Sequence, residues 1–247
     1  MARRCRKRML ALVVAGAVSP AIAQVDASWV GPSAFVHEPI FAPQPGPVSV
    51  LNQGHDWTTR RNWSTPPYPT DAGAATIPAP AGLEALGRII LTLDTNVSLR
   101  ELTLANAAGV DLTDTQPALN STLSAAAQGL VIRSLRYHPD APSRALCHYG
   151  GNYLAVPVGG SGSVSVTGSG VVTFTRANPF LGPLVVRNGI LAISSTNGAL
   201  DARLGSSPQP VTLDGGTLRL SQPGSTAPSL QRAFHLGSGG GTFCAAV

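Results

Sequence analysis

Between Gly168 and Ser221 a short ladder of alternating apolar and polar positions is written twice. Val186-Arg-Asn-Gly-Ile-Leu191-Ala-Ile193-Ser194 falls on Leu213-Asp-Gly-Gly-Thr-Leu218-Arg-Leu220-Ser221 at an offset of 27 (213 − 186), with Gly189/Gly216, Leu191/Leu218 and Ser194/Ser221 identical. In each copy an Asn-Gly or Gly-Gly turn, where positive φ meets little steric resistance, precedes residues that alternate with a period of two. One side of each strand therefore requires burial. A single unit has nothing to bury it against, whereas copies stacked rung on rung form a continuous column. The pattern predicts an all-β chain folded as a β-solenoid.

The same alternation recurs along the chain. Ile89 to Leu104 starts the ladder, with Val97 and Leu99 in one phase, Leu102 and Leu104 in the other, and Arg100-Glu101 marking a corner or bulge between them. Thr92-Leu93-Asp94 echoes Thr212-Leu213-Asp214. Val164-Ser-Val166, Val171 to Thr175, Leu184 to Ile193, Val211 to Leu220 and Phe234 to Phe243 continue it. Residues 107–160 read as irregular or inserted despite Leu130-Val-Ile132, because Pro139, Pro142, Cys147 and two histidines break the period. Residues 24–50, proline-bearing and aperiodic, read as an irregular leader; 51–106 as an N-terminal cap and first rungs; 161–247 as repeats that stop mid-pattern. Trp57 and Trp63 suit a plug over the open end of the stack, or a platform on which sugar rings stack.

Composition narrows the class. Charged residues make up 12% of the chain and aromatics 5%, alongside 27 glycines and 21 prolines, which leaves little material for amphipathic helices; 43% hydrophobic content is enough for a core. The net charge of +5 lies in Arg3, Arg4, Arg6, Lys7 and Arg8, ahead of an apolar run from Met9 to Val18 and a small-residue site at Ala21-Ile-Ala23. Residues 1–23 are thus expected to be a secretory signal cleaved after Ala23, too short for the about 20 apolar residues of a membrane span. Export would place the chain in the periplasm, at the cell surface or in the medium. Beyond residue 23 the charges balance, with no cluster of cations to neutralise phosphates, so no nucleic-acid partner is expected. An exported chain permits a disulfide between Cys147 and Cys244 without requiring it.

Gly168-Ser-Gly170-Val-Val-Thr-Phe174-Thr, Asn178-Pro-Phe180-Leu-Gly182 and Leu184-Val-Val-Arg-Asn-Gly189-Ile-Leu191 together resemble the autotransporter-associated β-strand repeat, with its Gly-x-Gly strand, Asn-x-aromatic-x-Gly turn and Gly-x-Leu strand. Trp57, Asn62-Trp63-Ser and Leu91 to Val97 are similar to the start of many such passenger domains. The resemblance implies a right-handed parallel β-helix exposed on or released from a Gram-negative cell, in adhesion, aggregation or display. It also implies an outer-membrane translocator barrel, which would need about ten residues per strand over many strands and has no room here. The chain is therefore expected to be truncated, or its translocator to be a separate protein.

No catalytic, cofactor-binding or metal site is expected. Asp94, Asp201 and Asp214 stand beside turns, where aspartate binds local backbone. His138, Asp140 and His148 lack a diagnostic ligand spacing, and Gly159-Gly-Ser-Gly162 reads as a turn or linker without the aspartate of a calcium-binding repeat. Asn62, Asn96 and Asn120 match glycosylation sequons that carry no weight in a bacterial exporter. The favoured reading is a surface stem that engages a receptor or polysaccharide without catalysis. The alternative is a secreted carbohydrate-active β-helix, a lyase or glycoside hydrolase, which would need paired or calcium-binding acids along one groove.

Overall fold

A computed structural model of the chain describes residues 24–30, 56–78, 89–105, 109–114, 121–135, 151–194, 200–221 and 230–246. In chain order the strands are β1 (Ala27–Ser28), β2 (Gly73–Ile77), β3 (Ile89–Leu93), β4 (Val97–Leu104), β5 (Val110–Asp114) and β6 (Leu123–Ala125). They continue as β7 (Leu130–Ser134), β8 (Asn152–Leu154), β9 (Val158–Gly160), β10 (Val164–Thr167), β11 (Val171–Phe174) and β12 (Leu184–Arg187). The last are β13 (Ile190–Ser194), β14 (Val211–Asp214), β15 (Gly216–Ser221), β16 (Phe234–Leu236) and β17 (Gly241–Ala246).

These strands form two parallel sheets. The first runs β1-β2-β4-β7-β10-β12-β14-β16, with β6 and β9 joined along β4; the second runs β3-β5-β8-β11-β13-β15-β17. Parallel neighbours cannot be joined by a tight hairpin, and here, from β2 onward, each return path passes through a strand of the other sheet. The chain is a parallel β-helix, as the periodicity predicts. The sequence repeat is one full turn of it: Val186 lies beside Leu213, Leu191 beside Leu218 and Ser194 beside Ser221. Turn length is uneven elsewhere, from 19 between Val171 and Ile190 (190 − 171) to 48 between Ala27 and Ala75 (75 − 27).

Alternate side chains point between the sheets and stack in columns. In the first sheet Ala75, Leu102, Ile132, Val166, Val186 and Leu213 lie in register, all at most 1% exposed. In the second, Leu91, Leu112, Leu154, Phe174 and Ile193 do the same. Each apolar side chain is covered by the one above it, so burial is shared between neighbouring turns.

One buried polar network interrupts the apolar filling. Asn152 occupies an inward position next to Val172. Its Oδ1 accepts the Val110 N–H at 2.8 Å, and its Nδ2 donates to Ser134 Oγ at 2.8 Å and to the Val171 carbonyl at 3.4 Å. With these bonds made, a buried amide is tolerated in an apolar column.

Several local expectations need correction. Ala27–Ser28, inside the segment read as an irregular leader, pairs with Ala75 and Thr76 and begins the first sheet. Within 107–160 the described residues hold β5 to β9, strands three to five residues long paired into the two sheets, while 136–150, with Pro139, Pro142, Cys147 and both histidines, lie outside the described residues. Thr92-Leu93-Asp94 and Thr212-Leu213-Asp214 are not equivalent, since β3 and β14 belong to different sheets. Val158–Gly160 of the glycine run is a strand paired with β6 rather than a turn. The phase change at Arg100 is a bulge: Gly73 faces Leu99 while Ala74 faces Glu101, and Arg100 is the extra residue.

The N-terminal end is closed by tryptophan. Trp29 and Trp63 meet edge to face at 5.3 Å, and Trp57 lies 4.7 Å from Trp63. Trp57 Nε1 donates to the Pro69 carbonyl at 3.0 Å and Trp63 Nε1 to the Trp57 carbonyl at 2.7 Å. All three indoles are at most 3% exposed, so the plug is realised and the rings offer no platform to a sugar.

Candidate interaction face

Residues that alternate with the core columns point outward, and the two sheets differ in what they present. On the second sheet the outward positions Thr173, Ala192 and Arg219, adjacent in register, are buried. Ile90, Asp111, Tyr153 and Cys244 of the same second-sheet column are half-buried, so burial there is confined to the middle of the column, whereas on the first sheet accessibility runs along a whole column. One outward column there runs Glu101, Val131, Ser165, Val185, Thr212 and His235, and a second runs Thr103, Arg133, Thr167 and Arg187 toward Asp214. Apart from buried Thr103 they are half-buried or exposed. The face therefore repeats hydroxyl, methyl and charged groups at the roughly 4.8 Å spacing of parallel strands.

The charges on this face are paired across neighbouring turns. Arg133 Nε lies 3.3 Å from Glu101 Oε1, and Thr103 Oγ1 donates to the same oxygen at 3.0 Å. Arg187 Nε lies 3.4 Å from Asp214 Oδ2. The result is a flat, locally neutral surface of the kind that makes many shallow contacts rather than one deep one.

Acids elsewhere tie one turn to another. Asp26 accepts from Ala74 N–H at 2.9 Å and from both Arg100 terminal nitrogens, at 3.0 and 2.6 Å. What desolvation the exposed Asp26 suffers raises its pKa, and these bonds, with one from Gln24, more than offset it, so its carboxyl titrates below its ordinary value. Asp114 pairs with Arg176 Nη2 at 2.5 Å. Arg203, whose pKa is lowered by burial and by neighbouring Arg176, donates through Nε to the Ser194 carbonyl at 2.6 Å.

The three turn aspartates correct the expectation of local backbone bonding: each bonds to residues one turn of the helix away. Asp94 receives the Thr58 N–H at 3.1 Å and the Thr58 hydroxyl. Asp201 takes the Gln231 and Arg232 N–H groups at 2.9 and 3.1 Å, and Asp214 takes Gly239 N–H at 2.9 Å. Their oxygens are engaged by backbone and side-chain donors from adjacent turns, and the three do not converge. Among the described residues no group of three or more His, Cys, Asp or Glu comes together. His138, Asp140, Cys147, His148 and Asn120 lie outside the described residues. Asn62 is 1% exposed, and Asn96 Oδ1 is bound to Thr122 N–H at 2.8 Å.

The Asn-x-Phe-x-Gly motif is structural down to each atom. Asn178 Oδ1 accepts Val158 N–H at 2.8 Å and its Nδ2 donates to the Arg203 carbonyl at 2.6 Å, bridging turns on both sides. Phe180 is fully buried, and a Cβ on Gly182 would stand 2.1 Å from the Gly162 carbonyl oxygen. Sequence reasoning did not anticipate that Asn152 and Ser134 join in the same kind of bridge. An asparagine opening a short strand, where an apolar residue belongs, is the signal that could have found it. Comparison with protein-family models, with curated proteins and with solved structures finds no match for this chain.

Proposed function

We propose that the chain is an exported, non-catalytic β-helix stem of the autotransporter passenger type, serving adhesion or display through the outward face of its first sheet. A surface receptor or polysaccharide is its partner class, and an outer-membrane translocator in a longer or separate chain delivers it. The observation that carries this reading is the pairing of Glu101 with Arg133 and of Asp214 with Arg187, which leaves a flat, accessible face without excess charge. Such a face lacks the clustered cations that a phosphate backbone demands. The commitment of Asp26, Asp94, Asp114, Asp201 and Asp214 to bonds between turns supports a structural rather than a catalytic use of the acids.

The test uses beads coated with the full chain and offered dextran, xylan, pectate, alginate and whole cells. Retention of at least one of these is expected, and Val131→Glu with Val185→Glu should lower it by roughly tenfold with the β-sheet circular dichroism unchanged. Release of reducing or unsaturated sugar ends from the polysaccharides, or retention indifferent to the double substitution, would overturn the reading. Export predicts that the chain recovered from outside the cytoplasm starts at Gln24; recovery only in the cytoplasm with Met1 retained argues against it.

A further inference from the structure

At the corner where the chain leaves the second sheet, two arginines come together beside one acid. Arg176 follows β11, and its Nη2 lies 2.5 Å from Oδ2 of Asp114, the last residue of β5, whose side chain is 9% exposed. Arg203 sits in the single 3-10 turn Asp201–Leu204. That turn is fastened to the stretch after Arg176 by two bonds: Asn178 N–H donates to the Ala202 carbonyl at 2.8 Å, and Asn178 Nδ2 to the Arg203 carbonyl at 2.6 Å. The Arg203 side chain folds back over the end of β13, where its Nε donates to the Ser194 carbonyl. Phe174 and Ile193 are register partners, so Thr175 and Ser194 stand one strand spacing apart. The guanidinium of Arg203 is thereby held close to that of Arg176.

Two like charges in a half-buried corner call for compensation, and the corner supplies it only in part. Asp114 is shared with Arg176. Asp201 has its oxygens on the N–H groups of Gln231 and Arg232, while Arg232 directs its own guanidinium to the Gly205 and Ser207 carbonyls. Among the described residues Arg176, Arg203 and Arg232 therefore stand against Asp114 and Asp201, and Nη1 and Nη2 of Arg203 carry no bond. A guanidinium anchored through Nε presents its Nη1–Nη2 edge, two donors in a fork that fits the two oxygens of one carboxylate. We propose that Arg203, backed by Arg176, is a binding subsite for the carboxylate of a uronic acid unit in an acidic polysaccharide. One surplus positive charge suits such a monoanion, and its arrival relieves the repulsion from Arg176 that helps to lower the Arg203 pKa. The subsite rests on the proposed partner class, a polysaccharide, but lies at the rim of the second sheet and not on the outward face of the first.

Isothermal titration of the full chain with trigalacturonate, its methyl ester and sulfated maltotriose tests this. Saturable binding of the acid is expected, weakened at least roughly tenfold by methyl esterification and by Arg203→Gln. The comparison of acid with ester uses the parent protein, so it is read whether or not a variant folds. Val131→Glu with Val185→Glu should leave this binding unchanged, which separates failure of the first-sheet face from failure of the subsite. No binding of trigalacturonate, equal binding of acid and ester, or equal affinity for the sulfated oligomer would each overturn the proposal. So would binding indifferent to Arg203→Gln in a chain that keeps the β-sheet circular dichroism of the parent, or binding lost with the Val131 and Val185 substitutions.

Discussion

At the scale of single residues, the amides and carboxylates between turns decide which backbone groups are satisfied. Asn178 is buried and bonds on two sides, to Val158 N–H and to the Arg203 carbonyl. Asn178→Ala strands a donor and an acceptor away from water, a loss of roughly 2–4 kcal/mol in chemical denaturation. Asn96 makes a similar bond to Thr122 N–H from an exposed position, where water can replace it. Asn96→Ala should therefore cost less than about 1 kcal/mol, and equal losses at the two sites would refute the argument. Asp26 sets a pH dependence. Its folded pKa lies below the ordinary 3.8, so its contribution is fully present above 3.8 and is lost as pH falls through the lowered folded value. Asp26→Asn should accordingly reduce the denaturation midpoint at neutral pH, and the gap to the parent should close well below pH 3.8. Tryptophan emission is the reporter, because Trp29 lies three residues along the same arm and the chain's 3 tryptophans form one cluster at that end.

At the scale of elements, what could be read in advance followed from how closely one turn copies the next. β12–β13 and β14–β15 have nearly equal lengths and short linkers, and the repeat of 186–194 over 213–221 matches their structural register at Val186 and from Ile190 to Ser194. The Arg100 bulge was also visible, because a bulge shifts the apolar phase by one. Of β5 to β9 only Leu130-Val-Ile132 of β7 stood out; the three-residue strands β6, β8 and β9 carry too few alternations to show a period, and Asn152 itself breaks the apolar pattern. β1 escaped for the same reason: two residues, Ala27 and Ser28, have no periodicity to show, and only pairing with β2 reveals them. For the interaction face, the alternation identified which residues avoid the core. It could not reveal that the second sheet's outward side is buried at Thr173, Ala192 and Arg219, because that depends on packing between segments distant in sequence.

At the scale of the whole molecule, the fold has no hub. The apolar columns pass from turn to turn, so each turn contacts mainly the one before and the one after. Excision of residues 164–183 tests this directly. Joining Ser163 to Leu184 removes β10 and β11 together. Because Val164 lies in register with both Leu130 and Leu184, β12 then takes the place of β10 on β7. Phe174 likewise lies between Leu154 and Ile193, so β13 inherits the place of β11 on β8. The shortened chain should keep the circular dichroism per residue of the parent. Its denaturant dependence should fall by about one-seventh, in step with the surface removed from a seven-stranded second sheet. Some stability is lost as well, since Asp114 loses Arg176 and Val158 N–H loses Asn178. Excision of 164–170 is the contrast: it takes β10 and keeps β11, so one turn supplies the second sheet but not the first, and the columns cannot close. A chain that survives the half-turn excision as well as the full turn would not be held together by stacked turns.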